Sequence, residues 1–354
     1  MRGGLARPVF RALAIAIGLG MAGRARAQAP DLAAADRLLW AEADSGFSGV
    51  VLIARGDTVL LHRGYGPSGV APDTGAAFWI ASITKGFTAA AVRRLEQQGR
   101  LGVHDSIARF FPDAPAATRS ISLGMLLTHT SGLARRDAGA GIVRRDAAVR
   151  ALLGEPLASA PGAAFVYEDD DYELLAAVVE VASGMRWEDY VERELLRPNG
   201  LAHTGFWCRP RRGVPVPIAA ADGGHSRCHQ TGDWGHRGAN GMSSTARDLL
   251  RWSRIHAERG ALGPADAAVL TAPGAAAVLV RQEPPADVWY AFGARVYVTG
   301  GRTAEVMQMG GGDDGHTSAI RVLPSGLTII VLSNAGDRGG VAWAPFVAGL
   351  LATR

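Results

Sequence analysis

Residues 79–88 read WIASITKGFT and place Ser82 three positions before Lys85. That lysine is the only one in the 354-residue chain, where arginine supplies every other one of the 37 basic residues. Arginine stays protonated at any relevant pH, whereas a buried lysine can lose its proton and accept another. Phe87, Ala90, Ala91 and Leu95 recur at helical spacing and Gly99 stops the run, so the spacing predicts a helix beginning near Ser82. Ser82 and Lys85 then share one face of its first turn. A serine hydroxyl is a poor nucleophile until a neighbour takes its proton. A neutral, desolvated lysine can do that, and the unpaired N–H groups of a helix start favour a developing oxyanion.

Upstream, residues 1–27 have the layout of a secretory signal peptide. Arg2, Arg7 and Arg11 precede the apolar run ALAIAIGLGMAG, and Ala25-Arg26-Ala27 sets up a cut before Gln28. The run is too short to span a bilayer as a helix. The expected location is periplasmic or secreted, with no stable membrane span after cleavage. The segment holds five arginines and no acid, which leaves 32 basic and 33 acidic residues beyond it. Nothing basic then remains to argue for nucleic acid or an anionic membrane surface. In an oxidising compartment Cys208 and Cys228 can form a disulfide. His225 and His229 flank Cys228, so zinc is an alternative, although the spacing fits no standard ligand pattern. No metal and no cofactor is expected.

Downstream, FSGVVLIARGDTVLLHRGYG (47–66) reads as two strands around Gly56-Asp57. Residues 104–160 show short helical stretches. A helix spans 170–183, with an acidic start and Gly184 after it. Residues 205–240 lack periodicity and read as a long loop, followed by a helix over 243–258. After Asp287 the runs WYAFGARVYV, TAEVMQM, TSAIRVL and LTIIVLSN read as four strands joined by Gly-rich turns, then a helix near 341–352. Strands at both chain ends with helices between them imply an α/β (α+β) fold. Its antiparallel sheet is built from both ends and flanked by helices, and a mostly helical subdomain is inserted. The expected division is 28–115 plus 255–354 for the sheet part and 116–254 for the helical part. Tyr167, just before the 170–183 helix, is the candidate for a second hydroxyl at the site; a boundary aromatic packed on the core is the alternative.

Five segments carry a resemblance. They are FWIASITKGFTAAAVRRLEQQGRLGVHDSI, ISLGMLLTHTSGL, PGAAFVYEDDDYELLAAVVEVASG, GMSSTARDLLRW and GGGDDGHTSAIRVLPSGLTIIVLSNAG. In this order they resemble the serine β-lactamase and penicillin-binding-protein group, above all class C β-lactamases, D,D-carboxypeptidases and related esterases. The resemblance implies that Ser82 is acylated, that Lys85 helps deprotonate it, and that Tyr167 shuttles the proton to the leaving group. It also implies one β-lactamase-related catalytic unit.

Two motifs depart from the family pattern. The third residue of the tyrosine motif is Asp169 where the family usually has Asn, and an ionised Asp169 would keep Lys85 protonated. The family's cation-hydroxyl-glycine triplet aligns with Met309-Gly310-Gly311, which lacks cation and hydroxyl. The backbone N–H groups of Ser82 and Gly312 would form the oxyanion site. A rival register uses His316-Thr317-Ser318 and keeps the cation. In the first register the missing cation argues for esters or amides without a carboxylate. His129 reads as loop-shaping. Trp234 and His236 line the pocket or pack elsewhere, and Asp313 and Asp314 read as turn residues. Three functions fit: an exported esterase or peptidase acting through acyl-Ser82 on a small ester, amide or peptide; a binding protein that has lost catalysis; and a true β-lactamase.

Overall fold

The computed structural model describes residues 31–134, 137–206, 209, 213–220, 233–257, 277–283, 286–311, 315–338 and 341–352. The signal-peptide segment, Cys208, Cys228, the flanking His225 and His229, Gly312, Asp313 and Asp314 lie outside the described residues.

The described residues open with α1 (Leu32–Asp44), capped by the Asp31 carboxylate accepting from the Ala34 N–H, then β1 (Gly49–Arg55) and β2 (Thr58–Tyr65). A short strand β3 (Phe78–Trp79) leads through a tight 3-10 turn at Ala81–Ile83 into α2 (Thr84–Gln97). The helices α3 (Leu123–Leu127), α4 (Arg145–Gly154), α5 (Asp170–Ser183) and α6 (Trp187–Val191) follow. Then come β4 (Gly205–Phe206), β5 (Met242–Ser244) and α7 (Ala246–Ala257). The last part holds β6 (Val278–Glu283), β7 (Ala286–Ala291), β8 (Ala294–Thr299), β9 (Arg302–Gly311), β10 (Thr317–Val322) and β11 (Leu327–Ser333). A small hairpin of β12 (Asp337–Arg338) and β13 (Val341–Ala342) precedes α8 (Trp343–Ala352).

Eight strands form one antiparallel sheet in the order β2-β1-β11-β10-β9-β8-β7-β6. Gly49 of β1 pairs Ser333 of β11, so the two ends of the chain meet inside the sheet. The apolar run of β1 is continuous because both faces are covered. Val50, Leu52 and Ala54 pack into the core shared with α2 and α7, while Val51 and Ile53 pack against α1 and α8. β3, β5 and β4 form a separate three-stranded ribbon.

The structure differs from the sequence reading in several places. α1, β6, α6 and the short strands β3, β4, β5, β12 and β13 were not read as elements, and the helix expected over 243–258 is α7, starting at Ala246 after β5. The run WYAFGARVYV is two strands rather than one, because the chain reverses at Phe292-Gly293, both with positive φ (50° and 79°). Gly293 is needed there: a Cβ on it would lie 2.5 Å from the Gly86 amide nitrogen, so this turn rests directly on α2. No helix among the described residues is long and apolar enough to cross a membrane.

Candidate active site

The turn bearing Ser82 is clamped from both sides. The Ile80 N–H donates to the Met242 carbonyl (3.0 Å), and the Ile80 carbonyl accepts from Ser318 Oγ (2.8 Å). The Trp79 indole N–H donates to the Asn240 carbonyl. Ala81, just before Ser82, has φ 44°, a conformation that costs a non-glycine residue energy and persists only when its surroundings enforce it. Gly310 of β9 is in close approach: a Cβ there would lie 2.3 Å from the Ile80 carbonyl oxygen and 2.8 Å from the Ser82 amide nitrogen.

One helical turn on, Lys85 is completely buried. Its Nζ donates to Ser82 Oγ (3.0 Å), to Asp169 Oδ1 (2.6 Å) and to the Ala239 carbonyl (3.2 Å). An ammonium has three donors, and all three are used. Burial is the largest influence on Lys85 and pushes its pKa down. The Asp169 carboxylate, the Tyr167 oxygen and the hydrogen bonds to both outweigh it, so the pKa lies above the ordinary lysine value. Lys85 is therefore an ammonium at rest. The Tyr167 ring centroid lies 5.0 Å from Nζ.

The loop at 237–240, which supplies the Ala239 carbonyl, is held by Glu173 on α5. Its buried carboxyl accepts the N–H groups of Arg237 (3.0 Å), Gly238 (2.9 Å) and Ala239 (3.0 Å). Burial pushes its pKa up to about 8 against those N–H bonds. Asn240 Nδ2 donates to Asp169 Oδ2 (3.2 Å), which fixes the carboxylate that faces Lys85. Beside it, burial and the charges of Asp171 and Asp170 push Glu168 up to about 10, and burial pushes Asp170 up to about 6.

His129 is buried at φ 56° with Nδ1 3.0 Å from Asp171 Oδ2 and Nε2 3.1 Å from the Tyr290 hydroxyl. Burial and then the charges of Lys85 and Arg295 push its pKa well down, while burial pushes Asp171 well up. A neutral carboxyl donating to a neutral imidazole follows. His129 also packs its ring 4.5 Å from that of Tyr167, which makes it a shaping residue, as its place in LLTHTSGL suggests.

A cavity of about 200 Å³ opens over Ser82. Tyr167, Tyr290, Gly293, Arg295, Met307, Met309, Gly310, Gly311, Ala342 and Pro345 line the rest of it. The Met309-Gly310-Gly311 register is thus the one that faces the cavity. His316 does not line it, which corrects its place among the pocket residues. It sits at the start of β10, 2% exposed, with Nε2 3.0 Å from the Ile218 carbonyl and its ring against Phe78. Asp169 sits behind the lining, on Lys85. Trp234 is a core residue under the Arg237 guanidinium, and His236 Nδ1 lies 3.1 Å from Asn240 Oδ1. The sequence reading missed Arg295 and Glu173. Arg295 carried no local signal, and Glu173 stood in an acidic run that reads as an ordinary helix start.

The Beta-lactamase family model matches residues 33–351. The Bacillus subtilis (strain 168) protein PbpX, named for penicillin binding, is 29% identical over 166 residues, covering 46% of this chain and 42% of that protein. The match thus spans less than half the length of that curated relative. The penicillin-binding protein of Bacillus halodurans superposes with a TM-score of 0.71 at 20% identity, over 89% of this chain and 98% of that one. The D-amino acid amidase of Ochrobactrum anthropi SV3 gives 0.72 at 18% identity, over 90% and 98%. The fold is that of the β-lactamase and transpeptidase proteins, and the chain belongs to the Beta-lactamase family.

Proposed function

We propose that this protein is an exported serine hydrolase that cleaves small esters, amides or peptides through an acyl-enzyme on Ser82. The observation that carries the reading is the contact of the buried Lys85 Nζ with Ser82 Oγ at 3.0 Å and Asp169 Oδ1 at 2.6 Å. Ser82 Oγ bonds to the substrate carbonyl carbon, and its proton passes to Lys85 as Lys85 releases one of its own to Asp169. The ammonium is regenerated beside the oxyanion and supports its charge. The Ser82 backbone N–H is one donor to that oxygen. When the carbon–leaving-group bond breaks, the Tyr167 hydroxyl protonates the leaving group. Water then attacks the acyl carbon, and the same groups run in reverse.

The penicillin binding in the name of PbpX and the amide cleavage in the name of the Ochrobactrum anthropi amidase fit acyl transfer at an amide or related bond. The composition of residues 1–27 supports export, and the first residue of protein recovered outside the cytoplasm should be Gln28. The test of catalysis is a fluorophosphonate probe with mass spectrometry, beside turnover of a 4-nitrophenyl ester. Label on Ser82, and turnover lost in Ser82→Ala, are expected. No label and no Ser82-dependent turnover would leave a binding protein on a hydrolase fold.

A further inference from the structure

Where the family triplet would put a cation, this chain has a thioether, Met309. The other methionines beyond residues 1–27 are Met125, Met185, Met242 and Met307. Met242 is buried, and Met125 and Met185 pack against the apolar core. Met307 reaches the cavity over Ser82 but is only 9% exposed. Met309 lines the same cavity and is more open to solvent. Its sulfur also has a cation beside it. Arg295 on β8 pairs with Met307, which shares a face of β9 with Met309. Arg295 Nη1 lies 3.4 Å from Met309 Sδ. A thioether is a weak acceptor, so the sulfur keeps a lone pair for an oxidant and the guanidinium keeps most of its five donors. The next residue, Gly310, is in close approach to the Ser82 amide.

We infer that Met309 is a reversible redox-modification site: a hydroperoxide converts it to the sulfoxide, Arg295 holds the new oxygen across the cavity, and entry to Ser82 closes. The effect on turnover rests on the serine hydrolase reading of the same cavity; the modification itself does not. The sulfur lone pair attacks the outer oxygen of the hydroperoxide, and the S–O bond forms as the O–O bond breaks. The outer oxygen's proton passes through solvent to the departing oxygen, which leaves as water or an alcohol. Sulfur gives up two electrons and the peroxide takes them. The guanidinium donors steady the charge that builds on the departing oxygen, which favours this sulfur over the other methionines. Oxidation turns a flexible apolar side chain into a polar one, and dedicated reductases reverse it. The sulfoxide oxygen accepts strongly where the thioether accepts weakly, so the existing contact with Arg295 tightens. In a cavity of about 200 Å³ the added oxygen and the drawn-in guanidinium occupy the space beside Ser82.

The test is a time course with hydrogen peroxide, followed by peptide mass spectrometry at each methionine and by turnover of 4-nitrophenyl acetate. Met309 should gain one oxygen at least about fivefold faster than Met125 or Met185, and turnover should fall about tenfold in step with it. Methionine sulfoxide reductases A and B together should restore both. Met309→Leu, which keeps the side-chain volume, should hold at least about 80% of its own untreated activity through the same course. Arg295→Leu, once oxidised at Met309, should lose no more than about threefold of its own untreated activity. Oxidation of Met309 no faster than of Met125 and Met185 overturns the inference. So does turnover that survives Met309 oxidation, equal inactivation of Met309→Leu, or an undiminished loss in Arg295→Leu. Ser82-dependent turnover without selective oxidation refutes the inference alone. Selective, reversible oxidation in a chain with no Ser82-dependent turnover refutes the hydrolase reading and leaves the modification site standing.

Discussion

Asp169 Oδ1 lies 2.6 Å from Lys85 Nζ, and in the proposed mechanism this ion pair acts as the base rather than either residue alone. A lone buried lysine would be driven toward its neutral form by desolvation. Here the carboxylate reverses that, and the proton capacity of the pair sits on Asp169.

Asp169→Asn tests this through the pH profile. In the native pair, acylation of Ser82 should fall only when acid protonates the carboxylate. With Asn, the base is the lysine, so the acid limb should move up by at least about one pH unit. The measurement is the pH dependence of Ser82 acylation by a 4-nitrophenyl ester. A limb that moves down instead would mean that Asp169 restrains a lysine base.

Gly310→Ala should abolish most activity. Its Cβ would lie 2.3 Å from the Ile80 carbonyl oxygen, 2.8 Å from the Ser82 amide nitrogen and 2.8 Å from Ser318 Oγ. The two backbone atoms cannot yield without moving β9 away from the nucleophile turn. Displacing an oxyanion donor costs about 100-fold or more in rate. Labelling kinetics at Ser82 and a thermal melt would separate this from global unfolding, with labelling slowed far more than stability is lost.

Glu173→Ala should destabilise the fold by roughly 2–4 kcal/mol, because three N–H groups at 237–239 lose their acceptor inside the protein. Glu173→Gln keeps one carbonyl oxygen and should cost less. Both should slow acylation, since the same loop carries the Ala239 carbonyl to Lys85. Urea unfolding at matched pH is the measurement.

Stability should peak in mildly acidic solution. Burial raises Asp170 to about 6 and Glu173 to about 8. Each contributes most below its unfolded value, and the contribution is lost as pH rises through the folded one. Burial lowers His256 to about 4, so its contribution is present above its ordinary value and is lost as pH falls through about 4. Thermal melts from pH 3 to 9 should show a maximum at about pH 5–6 and a decline toward pH 9. A melting temperature that rises from pH 6 to 9 would contradict the buried-carboxyl account.

The site was legible in the sequence where it depends on neighbours along the chain. Ser82 and Lys85 lie within one turn, and the pairing of β1 with β2 follows from two apolar runs around Gly56-Asp57. Arg295 was not legible, because only the pairing of β8 with β9 brings it beside Met309. Glu173 was hidden for the same reason: the amides it holds lie 64 to 66 residues away. The turn at Phe292-Gly293 was missed because a phenylalanine in the left-handed region is no usual turn signal. α1 offered a cap in Asp31, but the Ala-rich run after it lacked a clear stripe. The choice between Met309 and His316 could be made only once β9 was seen to face the cavity.

The pairing of Gly49 with Ser333 has a consequence for synthesis. β1 is an interior strand only when β11 lies beside it, and β9 can press Gly310 against the Ser82 turn only after it has left the ribosome. A nascent chain therefore carries Ser82 without its partner strand until β9, β10 and β11 have been made and have paired. In the proposed mechanism acyl transfer waits for that pairing, so the sheet order itself delays activity.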